Sequence, residues 1–125
     1  MVKYRYLELL SSGPISRVRL LNHRLFGAKE IAELTQEWNS VADCSACQTL
    51  VMDCSSFQLM SSEMLGKLIL LQRRLKQKTA KLVLSGLRFE IREVLNWTRL
   101  DRFFEIEEDA DRDWENADRE VFAFA

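Results

Sequence analysis

The stretch Val51–Lys78, "VMDCSSFQLMSSEMLGKLILLQRRLKQK", holds a strand end, a loop and a long helix. Its first residues finish an apolar run, Thr49–Met52, that stops at Asp53. A run without alternation is expected of a strand covered on both faces. The helix begins near Ser62 and reaches about Lys78. Met64, Leu68, Leu71 and Leu75 recur at helical spacing, and Leu65 and Ile69 widen the stripe. Two adjacent serines, Ser61 and Ser62, stand at the junction. An N-cap needs one hydroxyl, which accepts a hydrogen bond from a free N–H of the first turn and contributes about 1 kcal/mol. The other serine is left over. A helix N-terminus carries about half a positive charge and free N–H groups, so it tolerates a phosphate. Loops past the C-terminal ends of central parallel strands are also where α/β proteins place functional groups. The residues allow a phosphorylated serine here without selecting it over a plain cap.

Strands and helices alternate on both sides of this stretch. Tyr4–Leu10 and Ile15–Leu21 read as strands joined through the turn signal "SSGP", which makes an antiparallel hairpin. Ala28–Ala42 is helical by period, with Ile31, Leu34, Trp38 and Val41 on one face. Lys81–Ser85 ("KLVLS") reads as a buried strand. Phe89–Thr98 reads as a helix with Ile91, Val94 and Leu95 inward, and Phe103–Ile106 as a short strand. Beyond Glu107 the chain turns acidic, and Trp114, Ala117 and Val121 predict a last helix over about 108–123. The order β-β-α-β-α-β-α-β-α implies an α/β fold. We expect a single domain over 1–125, with a mixed, mainly parallel sheet of about five strands and four helices. Leu50, Met52, Leu82, Leu84 and Phe104 are the expected core.

Bulk properties narrow the function. The chain has 125 residues, is 47% hydrophobic and has a net charge of -1, so it can bury a core and carries no excess of base for nucleic acid. No apolar run approaches the ~20 residues needed to cross a bilayer. The start "MVKYRYLELL" intersperses charge, unlike a signal peptide. A cytoplasmic domain with no membrane partner is the expectation.

Catalytic and metal chemistry find little material. "CSAC" at Cys44–Cys47 is a C-x-x-C, but only Cys54 and His23 remain to complete a zinc site. A redox pair of this spacing draws its low thiol pKa from a helix N-terminus. This pair instead follows a helix, so a structural turn is the better reading. His23 has no recognisable nucleophile motif near it, and no phosphate-binding glycine loop occurs. We expect no catalytic residue, no metal and no cofactor. The basic run Arg73, Arg74, Lys76, Lys78 and Lys81 lacks interleaved aromatics and reads as a solvated surface.

Residues 49–106 resemble the STAS domain family, the anti-sigma factor antagonists. That family has a strand ending near Asp, a short loop, then Asp-Ser-(Ser/Thr/Ala)-Gly-Leu-Gly opening a helix. Asp53 matches the strand-end Asp and supports the site. Ser62 falls on the phosphorylatable serine, and Leu65 and Gly66 match the Leu-Gly pair. Val94, Leu95, Phe104 and Ile106 match the later helix and strand. Ser61 stands where the family usually has Asp, Glu63 takes a small residue's place, and Met64 replaces a glycine. The Gly-x-Leu-Asp element that commonly follows the second strand is not intact in "LLNHRLFGAKE".

The resemblance implies partner switching. The dephosphorylated protein binds an anti-sigma factor serine kinase and so frees the sigma factor. Phosphorylation of Ser62 breaks the complex, and a serine phosphatase is a further partner. The alternative is a STAS scaffold in a stress-signalling assembly that works without phosphorylation. Steps of three and four place Glu63, Lys67, Leu70 and Arg74 on one stripe of the helix, and its charges should draw Leu70 outward. The expected docking surface is Ser61, Ser62, Glu63, Lys67 and Leu70, with Arg88 of the "SGLR" loop alongside.

Overall fold

The computed structural model describes residues 4–21, 27–57 and 59–107. The chain runs β1 (Leu7–Ser11), β2 (Ile15–Leu20), α1 (Ala28–Ala42), β3 (Thr49–Asp53), α2 (Ser62–Gln77), β4 (Lys81–Ser85), α3 (Phe89–Trp97), a 3-10 turn (Leu100–Arg102) and β5 (Glu105–Ile106). Three α-helices are therefore described. The fourth, expected over about 108–123, and His23 lie outside the described residues.

The strands stand in the sheet in chain order, β1-β2-β3-β4-β5. β1 and β2 pair antiparallel, and the other three pairings are parallel. The hairpin turns through Gly13, whose φ of +130° only glycine adopts without strain. Right-handed crossovers that step in one direction along a sheet lay their helices on one face. The core shows this. Ile31, Leu34 and Trp38 of α1, Leu68, Leu71 and Leu75 of α2, and Ile91 and Leu95 of α3 cluster with Leu50, Met52, Leu82 and Leu84. Burial of each such side chain stabilises the fold by roughly 1.5–3 kcal/mol. Phe104 joins the same cluster, so all five expected core residues are buried.

The other face of the sheet is covered as well, as the unbroken apolar run of β3 leads one to expect. Val51 and Val83 are only 5% and 9% exposed, but they lie outside the helix-side cluster. Among the described residues no helical side chain clusters with them there. The register instead sets Arg17 against Val51 and Arg19 against Asp53. Arg19 bridges Glu8 at 3.2 Å and Asp53 at 3.3 Å. An apolar run in β3 marks burial but does not reveal what covers it.

One strand boundary and one core residue also differ from the sequence reading. β1 begins at Leu7 because Glu37 of α1 claims the preceding N–H groups. Its carboxylate accepts from Arg5 N at 2.9 Å and from Tyr6 N at 2.8 Å. The Tyr6 hydroxyl donates to Glu33 at 2.7 Å, which pushes the phenol pKa up. Val94, expected inward, is exposed. α3 has nine residues and buries only Ile91 and Leu95, so its covered stripe is narrow and Val94 falls on its shoulder.

Candidate functional site

The site forms where the parallel strands β3 and β4 end side by side. Asp53 pairs with Ser85 in register, and Cys54 N donates to Ser85 O at 2.9 Å. Asp53 then shapes the loop to α2. Its Oδ1 accepts from Ser55 N at 2.9 Å while Oδ2 holds Arg19. This is an Asx turn, a local bond that competes with strand continuation and ends β3 there. The loop from β4 starts at Gly86, with φ +65°, and reaches Arg88, the residue that caps α3. Arg88 Nε donates to Ser55 O at 3.0 Å. The two loops are thus tied through Arg88.

The two serines divide the work. Ser61 has extended backbone angles and its Oγ accepts from Met64 N at 3.1 Å, so Ser61 is the N-cap of α2. Ser62 is the first helical residue, exposed, and its hydroxyl has no hydrogen-bond partner among the described residues. Ser61→Ala is expected to lower stability by about 1 kcal/mol through the lost cap. Ser62→Ala is expected to stay within about 0.5 kcal/mol, as for an ordinary surface change. Urea unfolding of the two variants measures the difference.

Further along α2, Glu63 is exposed, Lys67 is half-buried and Leu70 is 55% exposed. Met64, in the family's glycine place, is buried in the core. Arg74 also faces outward but is engaged. It forms a two-pronged pair with Asp43, at 2.7 and 2.6 Å, which holds the Asp43 carboxyl below its usual range. Gly66 has no internal reason to be glycine. A Cβ built there meets nothing within 4 Å, and its φ is not positive. Glycine in a helix interior costs about 1 kcal/mol relative to alanine.

Several surface features were not singled out from the sequence. Leu59, in the loop just before Ser61, is exposed, and loops carry no period that could announce it. Arg19 supports Asp53. The alternation of "ISRVRL" signals its outward direction but not its partners. Phe89 and Trp97 project from α3, 71% and 84% exposed.

Cys54 follows Asp53 at this junction, whereas the other two cysteines lie away from it. Cys44 and Cys47 bracket a turn between α1 and β3, with Cys47 N donating to Cys44 O at 3.0 Å. All three cysteines are free thiols, Cys44 exposed and Cys47 and Cys54 buried. Burial, followed by the neighbouring Asp53 charge, pushes the Cys54 thiol far up. A thiol reagent is therefore expected to modify Cys44 quickly in the native protein, and Cys47 and Cys54 only after unfolding. Among the described residues no three His, Cys, Asp or Glu side chains gather as metal ligands. No helix among them is long and apolar enough to cross a membrane.

The STAS domain family model matches residues 23–112. No curated protein matches the chain. Among solved structures, the phosphorylated form of the Bacillus cell fate determinant SpoIIAA aligns with a TM-score of 0.60 at 16% identity, over 90% of this chain and 96% of its own. A Moorella thermoacetica RsbS carrying a serine-to-glutamate substitution aligns with a TM-score of 0.70 at 15% identity, over 94% and 98%. A STAS domain anti-sigma factor antagonist protein from Planctomyces limnophilus gives 0.69 at 12%, over 80% and 87%. At such identities the shared property is the fold.

Proposed function

The chain belongs to the STAS domain family, and from that premise we propose that it is an anti-sigma factor antagonist that switches partners through Ser62. One observation carries the reading. Ser61 alone caps α2, which leaves the Ser62 hydroxyl exposed and unengaged at the helix N-terminus. A kinase can reach that hydroxyl without breaking the cap, and the phosphate it adds meets the positive end of the helix.

The switch is electrostatic. The dephosphorylated form binds an anti-sigma factor serine kinase over Ser61, Ser62, Glu63, Lys67 and Leu70, with Arg88 beside them. A phosphate adds roughly 1.5 to 2 negative charges at that surface. Desolvating those charges against a partner that does not pair them costs several kcal/mol, so the complex dissociates. A serine phosphatase resets the cycle. The protein is the substrate throughout and supplies no catalytic group. Leu70 anchors the complex by apolar burial, and Lys67 orients it. Asp53 acts at one remove by holding the turn at Ser55.

The second reading is a scaffold without phosphorylation. It draws on Ser61 and Met64 in places where the family carries Asp and Gly. Incubation with ATP and the anti-sigma factor kinase separates the two. The switch reading expects one phosphoryl group on the parent and none on Ser62→Ala. An unmodified parent with an active kinase would leave the scaffold.

A further inference from the structure

We propose that this protein also associates with itself, head to tail, by docking the outer face of α3 of one copy on the outer face of α2 of another. Ser62, Gly66, Leu70 and Arg73 run down the exposed side of α2 at steps of four, four and three. Nothing within the chain lies near the missing Cβ of Gly66, so the glycine leaves a notch open to solvent between Ser62 and Leu70. On α3, Phe89, Glu93 and Trp97 run at steps of four. Phe89 and Trp97 are among the most exposed large apolar side chains of the described residues. A flat aromatic knob and a helix groove without a side chain are matched in shape.

Charge gives the match its occupant. Lys67 stands beside the notch on α2 with Arg73 beyond Leu70, against one acid, Glu63, and Glu90 and Glu93 stand beside the aromatics on α3, against one base, Arg92. Lys67, Arg73, Glu90 and Glu93 have no ion-pair partner among the described residues. Arg74, just off the stripe, is taken by Asp43. The balance of charge is therefore basic on one helix with an apolar anchor, and acidic on the next with two. Both faces point away from the sheet, so one chain cannot bring them together. A second copy can. The contact is heterologous, because α2 meets α3 rather than α2, and it builds short chains or a ring rather than a closed two-fold dimer.

The contact covers the stripe that begins at Ser62, so it competes with the kinase. That consequence rests on the function proposed above, whereas the association itself does not. The test therefore uses no kinase. Sedimentation velocity of the purified protein is expected to show association that rises with concentration and weakens with salt. Trp97→Ala removes the knob and Gly66→Gln fills the notch, and each variant alone is expected to stay monomeric. An equimolar mixture of the two should form a one-to-one dimer and nothing larger, because each variant retains the face that the other lacks. Arg73→Glu replaces Gly66→Gln if the latter disturbs the helix by circular dichroism. A parent still monomeric at about 1 mM, a Kd weaker than about −4 kcal/mol of binding, overturns the proposal. So do variants that associate like the parent, and so does a mixture that fails to pair.

Discussion

Ser62→Asp is expected to fold like the parent and to bind the anti-sigma factor kinase about a hundredfold more weakly or worse. The side chain enters an exposed position at the first residue of α2, where a carboxylate is favoured by the helix dipole. The fold is therefore unharmed. In the complex the same carboxylate lies under the partner beside Glu63. An unpaired or repelled charge at a docked surface costs several kcal/mol, and ~1.4 kcal/mol is tenfold in affinity. Ser62→Ala should bind as the parent does and accept no phosphate. Calorimetric titration of the kinase into each variant reads the difference, and thermal melts confirm the fold. Equal affinity for the Asp and Ala variants would remove Ser62 as the switch.

Leu68→Ala and Leu70→Ala are expected to fail in opposite ways although they sit two residues apart. Leu68 is fully buried in the helix-side core. Its truncation leaves a cavity and should cost about 2–5 kcal/mol, lowering Tm by roughly 10 °C or more. Leu70 points to solvent on the Ser62–Gly66 stripe. Its truncation should leave Tm unchanged and weaken kinase binding at least tenfold, as loss of a central apolar anchor does. A Tm drop in Leu70→Ala comparable with that of Leu68→Ala would assign Leu70 to packing and take the docking surface off this face.

Most of the frame was legible in the residues because two signals agreed wherever it mattered. α1 and β4 have the bounds read from sequence, Ala28–Ala42 and Lys81–Ser85, since a clear period or apolar run is bracketed by breakers at each. The outward direction of Leu70 followed from the charged residues that share its stripe. Other features depend on contacts that no local pattern encodes. Either serine could have capped α2, and only the bond from Met64 N to Ser61 Oγ decides between them. Glu37 sets the start of the first strand from 31 residues away. The run "TLVMD" marks burial on both faces, and only the helix-side cluster shows which of the described helices cover one of them. Val94 lost its place in the core because α3 is short, not because its spacing is wrong. Asp53 was legible as a strand end, whereas its tie to Arg19 needed the register of β2 on β3.

The proposed switch turns on a phosphoryl group at one hydroxyl, and site-resolved mass spectrometry of the protein isolated from its own cells tests that most directly. The prediction is a fraction of chains carrying one phosphoryl group on Ser62, none on Ser61, and no modified fraction in cells that express Ser62→Ala. Chains unmodified at Ser62 under every growth condition, or a phosphoryl group held on another residue and retained in Ser62→Ala, would contradict it.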